Sequence, residues 1–599
     1  MTPTIYEPTS TIPGITKLEM LRKLMHKKKV DAFLVPRADC HQGEFISDSD
    51  ARLTWLSGFT GSAGLCIVTL EDIVLFVDGR YSIQAEIEKN IENINVLKLE
   101  RKEIVRWLRL NLGSPGVIAF DPWLHTIREI RFLESELKPP HKIKPVLNLI
   151  DKLWKDKPKE RLMPIYRLSE KYTGSSYQEK LKKVSQMMID SATDFVIYSL
   201  PDSICWLLNI RGQDIPNTPV VKAFAIQDRN AKVEVYLEML KIPNSIANEL
   251  GTRIKFFPIE SIGNRLKKLK GKIWLDSESC PFAIKKLLKT NKTVLHENKD
   301  PSSNLKALKN HIEINGFRSA HLKDGLAMVK FLYWLSKNRS SGLDEITIIK
   351  SLEEFRTQGK GYKGPAFDTI CGSGSNAAII HYRANEKTNR ILKSGDILLL
   401  DSGGQYLEGT TDITRTIPIG RSEKRKKKHF TLVLKGMIAI SRLKWPAGLS
   451  GRDLDSVARY NLWQEGLDYD HGTGHGVGCF LSVHEGPQAI SKRNEVELKP
   501  GMIISNEPGL YVSGSHGIRI ENLLLVKGTK ANERENKRPM LSFETLTLCP
   551  IDKELLLPEL LTKEEIDWLN DYHKLVKLKL ARKLGLEIRK WLFAACSAL

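Results

Sequence analysis

A chain of 599 residues is too long for a single hydrophobic core and predicts three or four domains of ordinary size. Its hydrophobic content of 41% is typical of globular proteins, and its apolar runs fall far short of the roughly 20 residues that cross a bilayer, which excludes a membrane-spanning protein. The net charge of +21 would suit a nucleic-acid-binding protein, but lysine is spread along the whole chain, so we expect no nucleic-acid partner.

The beginning of the sequence and its cysteines both favour an intracellular protein. The segment MTPTIYEPTSTIPG is polar and has neither the basic start nor the apolar core of a signal peptide. Eight cysteines are scattered along the chain without a close pair, which is typical of reduced thiols rather than of a disulfide framework. We therefore expect a cytoplasmic protein with no membrane partner.

The first predicted domain, residues 1–155, has the pattern of an α/β unit. A helix is predicted from Lys17 to Lys28, followed by the strand DAFLV at 31–35. The runs LTWLSGFTG, GLCIVTL and DIVLFVDGRY are interpreted as strands and turns. The basic, proline-containing stretch 138–161 is predicted to be an irregular linker, because its prolines and charges break any regular pattern.

The second predicted domain, residues 156–305, repeats features of the first. DFVIY at 194–198 resembles DAFLV, and ICWLLNIRG at 204–212 aligns with LTWLSGFTG at 53–61. The shared spacing places Trp206 against Trp55 and Gly212 against Gly61, which favours duplication over a chance similarity of two α/β segments. Neither copy carries a cluster of metal-ligating side chains, so we expect these domains to serve as walls, lids or dimer surfaces.

The third predicted domain, residues 306–599, combines helices with an antiparallel sheet. Helical patterns at 312–335 and 343–356 precede the strands, which is typical of an α+β arrangement. The basic run KRKKK at 424–428 could be a localisation signal or a phosphate-binding patch, but it precedes an amphipathic segment and is better explained as a solvated helix start. The tail at 561–593 predicts two helices that form a cap or a dimer element.

Five side chains that can bind metal lie between residues 401 and 521 of the third domain. The apolar run Ile397 to Leu400 predicts a buried strand that ends at an aspartate, and Gly403-Gly404 predicts a turn after it. A second strand, Thr410 to Ile417, would return another aspartate beside the first. The five candidate ligands are Asp401, Asp412, His475, Glu507 and Glu521.

Two neighbouring carboxylates in an apolar sheet repel each other, and a buried unpaired carboxylate is costly. No Lys or Arg lies between Asp401 and Asp412, so a bound cation is the economical explanation. Four carboxylates and one imidazole without a thiolate form a hard ligand set that suits manganese, cobalt or iron(II) better than a structural zinc. Their charge is sufficient for two divalent ions.

Each of these motifs taken alone has a simpler explanation. An aspartate after a strand is usually a cap or turn residue, and the glycine-rich HGTGHGVG could be a phosphate loop or a flexible one. Three more histidines, His381, His471 and His484, lie in the same part of the chain. Imidazoles beside a metal site can polarise a carbonyl or carry a proton at neutral pH, and the combined pattern therefore favours catalysis.

The order of the five ligands, with HGTGHGVGCFLSVHEGP around the ligand histidine, resembles the pita-bread metallopeptidases, which include aminopeptidase P, prolidase and methionine aminopeptidase. The segments DAFLVPRADCHQGEF, LTWLSGFTGSAG and LFVDGRY are similar to those of the large three-domain Xaa-Pro aminopeptidases in this group. The resemblance covers nearly the whole chain. It implies two related N-terminal α/β domains followed by a pita-bread domain like those of creatinase and methionine aminopeptidase, with a helical extension.

The resemblance also implies roles for the ligands. Asp401 would bind one metal ion, Asp412 and Glu521 would bridge two ions, and His475 and Glu507 would complete the second site. The expected cofactor is a pair of divalent ions per chain, with manganese the expected metal. Such a pair binds one water molecule and lowers its pKa, which makes hydroxide available at neutral pH.

Further roles follow from the same resemblance for residues near the ligands. His381 and His484 would grip the substrate and stabilise the oxyanion, and Glu507 is counted with them as catalytic. His471 would line a pocket for the proline ring, although a structural role is the alternative for His381 and His471. Independently of the resemblance, Arg519 lies two residues before Glu521 and would project to the same face of a strand, where it could orient a bridging carboxylate. Tyr511 would either approach the substrate or belong to the core.

The predicted function is that of a dimetal aminopeptidase that removes an N-terminal residue ahead of proline, acting on peptides as a homodimer. One alternative is a prolidase-like enzyme that cleaves Xaa-Pro dipeptides. A second is a pita-bread scaffold that only binds proteins, but a scaffold has no reason to keep four closely placed carboxylates.

Overall fold

The computed structural model describes residues 12–288, 293–339, 342–529 and 538–599. The stretch 1–11, most of the segment predicted to lack a signal peptide, lies outside the described residues. Among the described residues, those through Ser169 together with Ser175–Ser303 form one compact unit, here the N-terminal unit. Glu170–Gly174 and Asn304–Leu599 form the other, here the C-terminal unit.

The described residues up to Ala307 form short strands and helices. The strands are β1 Ala32–Pro36, β2 Gly64–Thr69, β3 Ile73–Val77, β4 Asn95–Lys98, β5 Val117–Phe120, β6 Lys142–Pro145, β7 Tyr166–Arg167, β8 Phe195–Tyr198, β9 Ile210–Arg211, β10 Phe224–Asp228, β11 Val233–Leu237, β12 Ile254–Pro258, β13 Gly271–Leu275 and β14 Thr293–Glu297. The helices are α1 Gly14–Lys28, α2 Arg52–Ser57, α3 Ser82–Glu88, α4 Arg101–Asn111, α5 Ile127–Glu136, α6 Ile150–Leu153, α7 Glu170–Thr173, α8 Tyr177–Asp190, α9 Pro201–Leu208, α10 Asn244–Leu250, α11 Ile262–Lys268, α12 Phe282–Leu288 and α13 Pro301–Ala307.

Two sheets of the N-terminal unit have the same topology. Within the described residues each has six strands, in the orders β4-β3-β2-β1-β5-β6 and β12-β11-β10-β8-β13-β14. In both sheets a central strand, β1 or β8, pairs antiparallel with one neighbour and parallel with the other. The outer pairs are parallel in both. The predicted duplication is therefore confirmed at the level of topology.

The aligned tryptophans have the same surroundings in the two copies. The ammonium group of Lys17 on α1 donates to the carbonyl oxygen of Trp55 at 2.8 Å, and that of Lys180 on α8 donates to the carbonyl oxygen of Trp206 at 2.9 Å. Each ammonium group also lies over the indole ring, 5.0 Å and 4.3 Å from its centroid. The repeat therefore preserves a buried interaction as well as a chain path.

Two sequence-based predictions for the N-terminal unit are wrong. Residues 52–57, expected to form a strand or turn, form helix α2, which ends where Gly58 takes up a left-handed conformation with φ 83°. Its side chains are buried on all sides, so the run has no periodicity that separates a helix from a strand. The expected linker at 138–161 contains β6, an edge strand of the first sheet, and helix α6.

The C-terminal unit contains the longest helices and a set of antiparallel strands. The strands are β15 Tyr362–Pro365, β16 Ile370–Ser373, β17 Ile397–Ser402, β18 Gly404–Tyr406, β19 Gly409–Thr410, β20 Ile413–Pro418, β21 Lys444–Pro446, β22 Gly474–Gly476, β23 Glu485–Ile490, β24 Ile503–Asn506, β25 Gly509–Val512, β26 His516–Arg519, β27 Asn522–Thr529 and β28 Met540–Thr545. The helices are α14 His311–Asn338, α15 Glu345–Thr357, α16 Lys424–Ser441, α17 Gly451–Trp463, α18 Lys563–Leu580 and α19 Leu586–Ala595.

Three antiparallel sheets of this unit carry the candidate ligands and their surroundings. Their strand orders are β15-β18-β19, β16-β17-β20 and β21-β28-β27-β24-β22-β23. Helix α14 begins with a capping box in which Asn310 and Glu313 satisfy each other's backbone N–H groups. Its buried side chains recur every three or four residues and include Phe317, Ala320, Met328, Phe331 and Leu335. These observations confirm the predicted α+β arrangement.

The glycine pair after Asp401 does not form the predicted turn. Gly404 already belongs to β18, and the chain reverses instead at residues 407–408 between β18 and β19. A side chain at Gly403 would place its Cβ 2.2 Å from the carbonyl oxygen of Thr411. Glycine is required here because two backbones approach closely, not because the chain turns.

Two further predictions for this unit, those for the basic run and for the tail, are confirmed. The basic run 424–428 is the first part of helix α16, with exposed and half-buried side chains. The tail forms the two expected helices, α18 and α19. The eight cysteines are free thiols. No helix of the described residues is long and apolar enough to cross a bilayer.

A buried ion pair joins the first two long helices of the C-terminal unit. Asp324 on α14 accepts from the Arg356 guanidinium on α15 at 2.9 Å, and their side chains are 5% and 1% exposed. The hydroxyl of Tyr406 donates to the same carboxylate at 3.0 Å. Removing one partner of such a pair leaves an uncompensated buried charge, which costs much more than losing a surface pair.

We predict that Arg356→Met lowers the free energy of unfolding by about 3–5 kcal/mol, because Asp324 stays buried without its cation. The matched control is Arg318→Met, whose ion pair with Glu544 is partly exposed and contributes less than about 1 kcal/mol. Urea denaturation of both variants measures the difference. Equal midpoints for the two variants would contradict the prediction.

Candidate metal centre and its surroundings

The pairing of two strands brings the first candidate ligands together. Strand β17 pairs antiparallel with β20 so that Asp401 lies opposite Thr414. Asp412 precedes Thr414 by two residues, and side chains two apart in an extended chain point to the same face. The hydroxyl of Thr414 donates to Glu521 Oε2 at 2.8 Å, and the Glu521 amide donates to the Thr414 carbonyl at 3.1 Å. Thr414 therefore links three of the five candidate ligands.

The two glutamates lie where a second pair of strands ends. Strand β24 pairs with β27 with Asn506 opposite Asn522, so Glu507 follows the first strand and Glu521 precedes the second. Ser505 connects this pair to the ligand histidine. Its hydroxyl accepts from the His475 amide at 2.9 Å and donates to Glu507 Oε1 at 3.1 Å.

The ligand histidine is held with one ring nitrogen facing the carboxylates. His475 Nδ1 donates to the Gly476 carbonyl oxygen at 2.9 Å, since a carbonyl can only accept. Its Nε2 lies 3.5 Å from Asp412 Oδ2 and 3.4 Å from Glu507 Oε1. A Cβ at the preceding residue, Gly474, would lie 1.9 Å from the Ser505 carbonyl oxygen, so only glycine allows this close approach.

The residues present fit a cation. One ligand atom from each of Asp412, His475 and Glu521 can be chosen so that all three lie within 4.8 Å of one another. Two buried carboxylate oxygens, Asp401 Oδ1 and Glu521 Oε1, have no hydrogen-bond partner among the described residues. A buried carboxylate oxygen left without a donor is unfavourable. Bound divalent ions would satisfy both oxygens.

The pKa values of these groups reflect the crowding of negative charge. Burial, followed by repulsion from neighbouring carboxylates, raises the pKa of Glu521 well above its usual value. Burial also raises the pKa of Asp401 to about 6 and that of Glu507 above its usual range. Burial opposes the charged form of His475, but its hydrogen bond to Asp412 and the charge of Glu507 outweigh burial and raise its pKa to about 9. Without metal, the His475 imidazole therefore keeps its second proton at neutral pH.

Arg519 contacts Asp401, whereas the sequence analysis expected it to contact one of the bridging carboxylates. Its Nη2 donates to Asp401 Oδ2 at 2.5 Å, and its Nε donates to the Thr414 hydroxyl at 3.2 Å. The Arg519 guanidinium, which is distant in sequence, therefore neutralises part of the charge of Asp401. The segment between Asp401 and Asp412 contains no Lys or Arg that could do so. Asp401 still keeps its second oxygen unpaired among the described residues.

A chain of hydrogen bonds runs from Arg519 through Tyr511 to His471. Arg519 Nη1 donates to the Tyr511 hydroxyl at 2.6 Å, and that hydroxyl lies 3.0 Å from His471 Nε2. His471 Nδ1 donates to the carbonyl oxygen of Gly472 at 2.8 Å, so its Nε2 accepts from Tyr511. Tyr511 therefore connects the predicted pocket histidine to the arginine beside Asp401.

The other two candidate histidines lie in loops of the same unit. The ring of His484 is 4.2 Å from that of His475, in an edge-to-face arrangement, and His484 immediately precedes β23. His381 lies in a turn next to Ile380, whose carbonyl oxygen is 3.4 Å from Arg519 Nη1. The catalytic roles of His381 and His484 stay predictions.

Arg415 is a further buried residue of this region that sequence patterns did not single out. Its guanidinium is fully buried, and its five N–H groups face six oxygen atoms of the C-terminal unit, so that at least one N–H is shared between two acceptors. These are the carbonyls of Thr414, Glu521, Cys549 and Pro550, the side-chain oxygen of Asn522 and the hydroxyl of Tyr572, at 2.7–2.9 Å. Arg415 therefore ties the backbone of a candidate ligand to helix α18. An arginine inside the apolar run ITRTI was the only signal for it in the sequence.

Family models match almost the whole chain. The Creatinase/Prolidase N-terminal domain matches residues 17–153 and, in a second version, residues 156–313. Metallopeptidase family M24 matches residues 315–528, and the C-terminal region of peptidase M24 matches 539–599. The fold is thus that of an M24 metallopeptidase with two creatinase-like N-terminal domains.

Individual relatives show to which family within the M24 metallopeptidases the chain belongs. A probable Xaa-Pro aminopeptidase P of Tuber melanosporum is 37% identical over 94% of this chain and 95% of its own length. One from Laccaria bicolor is 37% identical over 98% and 94%. An X-prolyl aminopeptidase from Caenorhabditis elegans, described as a cytosolic enzyme with a di-nuclear active site, has a TM-score of 0.92 and 32% identity over 98% of this chain and 100% of its own. The chain belongs to the Xaa-Pro aminopeptidase P family and is a metallo-aminopeptidase.

We predict that metal binding to the metal-free protein releases protons and strengthens as the pH rises. His475, with a pKa of about 9, carries a second proton at neutral pH and must lose it before Nε2 can bind an ion. Calorimetric titration with manganese in buffers of different ionisation enthalpy measures the protons released. Titration of manganese into buffer alone is the control. An affinity that does not change between neutral pH and the pKa of His475 would contradict the prediction.

Proposed function

We propose that this protein hydrolyses the bond between an N-terminal residue and a following proline in peptides of three or more residues. The observation that carries the proposal is the cluster of the buried Asp412 and Glu521 with the half-buried His475, joined by Glu507 and Asp401. Support for the specificity comes from relatives named Xaa-Pro aminopeptidase P that are similar over most of the chain.

Two divalent ions are the proposed cofactors, and manganese is the proposed metal because the donors are mainly oxygen. Asp401 would hold one ion and His475 with Glu507 the other, with Asp412 and Glu521 shared. When bound, such ions supply Lewis acidity and a water molecule of lowered pKa. The C. elegans structure with a di-nuclear active site supports the number of ions.

The chain's own residues would orient the substrate and move protons. We assign His484 and His381 to the carbonyl oxygen of the scissile bond, where an N–H donor stabilises the negative charge that develops during attack. His484 is suited to this role because its ring packs edge-on against a metal-ligating imidazole. Glu507 is the proposed proton acceptor, and Ser505 holds its Oε1 at 3.1 Å. Each of these side chains is held by a neighbour or lies beside the ligand cluster.

The hydrogen-bonded chain of Arg519, Tyr511 and His471 would form one wall beside the ligands. A peptide bond before proline lacks an N–H, so peptidases that grip that hydrogen lose a contact. A wall of rings can pack against the rigid pyrrolidine ring instead. His471 and Tyr511 are therefore proposed to contact the proline, with Arg519 orienting Asp401.

The structure does not favour the two alternative functions, dipeptidase and non-catalytic scaffold, to the same degree. A prolidase-like dipeptidase would use the same metal ligands and is separated from this proposal only by substrate length. A non-catalytic scaffold is disfavoured, because it would keep buried carboxylate oxygens without partners among the described residues and gain nothing from them.

We also propose that the protein is a cytosolic homodimer. The similar C. elegans enzyme is described as cytosolic. Helices α18 and α19 carry exposed apolar side chains, with Leu578 71% and Phe593 51% exposed. Size-exclusion chromatography with light scattering tests the proposed state, and a monomer at working concentration would contradict it.

We predict that Asp412→Asn lowers both metal content and activity, the latter by more than about 100-fold, since losing even an outer-shell residue costs 10- to 100-fold. A shared ligand serves both ions, so its loss affects the whole centre. Glu495→Gln is the control, because that carboxylate is 73% exposed and pairs with Arg452 on the surface. Emission spectrometry and peptide hydrolysis measure the two effects. Full metal occupancy with a normal rate would remove Asp412 from the ligand set.

We predict that kcat/KM is highest for Arg-Pro-Pro, lower for Arg-Pro and lowest for Arg-Ala-Ala. The tripeptide offers both the proline ring and a further residue, whereas a prolidase reads the carboxylate of a dipeptide. Liquid chromatography of released arginine measures all three under the same conditions. Preference for Arg-Pro would replace the proposal by the dipeptidase, and equal cleavage of Arg-Ala-Ala would exclude proline specificity.

A further inference from the structure

The residue that follows His484 is at the centre of a buried ion cluster. The carboxylate of Glu485 contacts the ammonium groups of two lysines, Lys309 through Oε1 and Lys306 through Oε2, the latter at 3.4 Å. The side chains of Glu485 and Lys309 are 0% exposed and that of Lys306 is 4% exposed. We call Lys306, Lys309 and Glu485 the buried ion cluster.

Glu485 is a neighbour of His484 along the chain and of the His475 segment across the sheet. It directly follows His484 in sequence, and it pairs across the strands with Gly476, the neighbour of His475. The pairing is irregular at this point, with a register shift between His475 and Gly476. A register shift disrupts the ladder locally, so the side-chain contacts of Glu485 are additional restraints on this corner of the sheet.

The two lysines that contact Glu485 extend from parts of the backbone that are held by hydrogen bonds. The backbone amide of Lys309 donates to the Gly501 carbonyl oxygen at 3.0 Å. The next residue, Asn310, is the N-cap of helix α14 and takes part in its capping box. Lys306 belongs to helix α13. Both ammonium groups therefore extend from fixed backbone.

Buried ions are costly for stability, and an apolar side chain of similar size would serve a core equally well. Three charges at this position are therefore better explained by directional restraint. We propose that Lys306 and Lys309 are positioning residues that hold Glu485, and through it orient His484 against His475. This inference rests on the role proposed above for His484.

The experiment is a double-mutant cycle between Lys309 and His484. Lys309→Met removes one ammonium group but leaves Glu485 paired with Lys306, so the remaining charges balance. We expect Lys309→Met to lower kcat by about tenfold to a hundredfold, since a displaced catalytic group costs that much. KM, metal content and the thermal midpoint are expected to stay close to wild type.

In the His484→Ala background, Lys309→Met should change kcat by less than about twofold, because the two residues act as one unit. Lys435→Met is the matched control, since Lys435 pairs with Glu565 at 2.6 Å, with both side chains 12% exposed, at a position between α16 and α18. That control should leave kcat unchanged in both backgrounds. If Lys309→Met does not fold, Lys306→Met and Glu485→Gln are used in the same cycle.

The outcomes distinguish the proposed catalytic role of His484 from the proposed positioning role of Lys306 and Lys309. A normal kcat for His484→Ala would overturn the proposed role of His484 itself. A reduced kcat for His484→Ala combined with a normal kcat for Lys309→Met would overturn only the present inference. Independent, multiplicative losses in the double variant would do the same, as would a fall in metal content that matches the fall in kcat.

Discussion

The C-terminal unit depends on keeping four carboxylates close together away from water. Carboxylates in such a position repel one another, and each also loses its hydration. The fold supplies compensation from several directions: the Arg519 guanidinium at Asp401, the Thr414 hydroxyl at Glu521 and the His475 imidazole between Asp412 and Glu507. It leaves two carboxylate oxygens without a partner among the described residues, where cations would bind. The antiparallel strand pairs are what make this crowding possible.

The candidate ligands could be singled out in the sequence because local patterns surround them, and their roles as ligands stay predictions. Asp401 ends a run of apolar residues, and His475 lies in a glycine-rich segment. Their supporting contacts could not, because each joins residues far apart in sequence. Arg519 and Asp401 are separated by 118 residues, and Lys309 and Glu485 by 176. The sequence contains both partners of each pair but no signal that connects them.

The wrong predictions of a turn at Gly403 and of a strand or turn at residues 52–57 have a different cause. At Gly403 the glycine accommodates a close backbone approach, and a pattern cannot distinguish this requirement from a turn. At residues 52–57 every side chain is buried, so neither the period of a helix nor that of a strand is visible. The duplication of the N-terminal sheets was recognisable from few residues because these residues include the tryptophans held by Lys17 and Lys180. Positions with a specific interaction keep their spacing, whereas the strands around them need only remain apolar.

Arg415 has a consequence for the order in which the protein matures. The oxygen atoms around its guanidinium include those of Cys549, Pro550 and Tyr572, which the ribosome adds after all five candidate ligands. Domains form as their sequence emerges, from the N-terminus onward. The N-terminal unit can therefore fold early, but the carbonyl oxygen of Glu521 and helix α18 are joined through Arg415 only after Tyr572 has been added. A chain still on the ribosome thus lacks the contacts that hold this ligand's backbone.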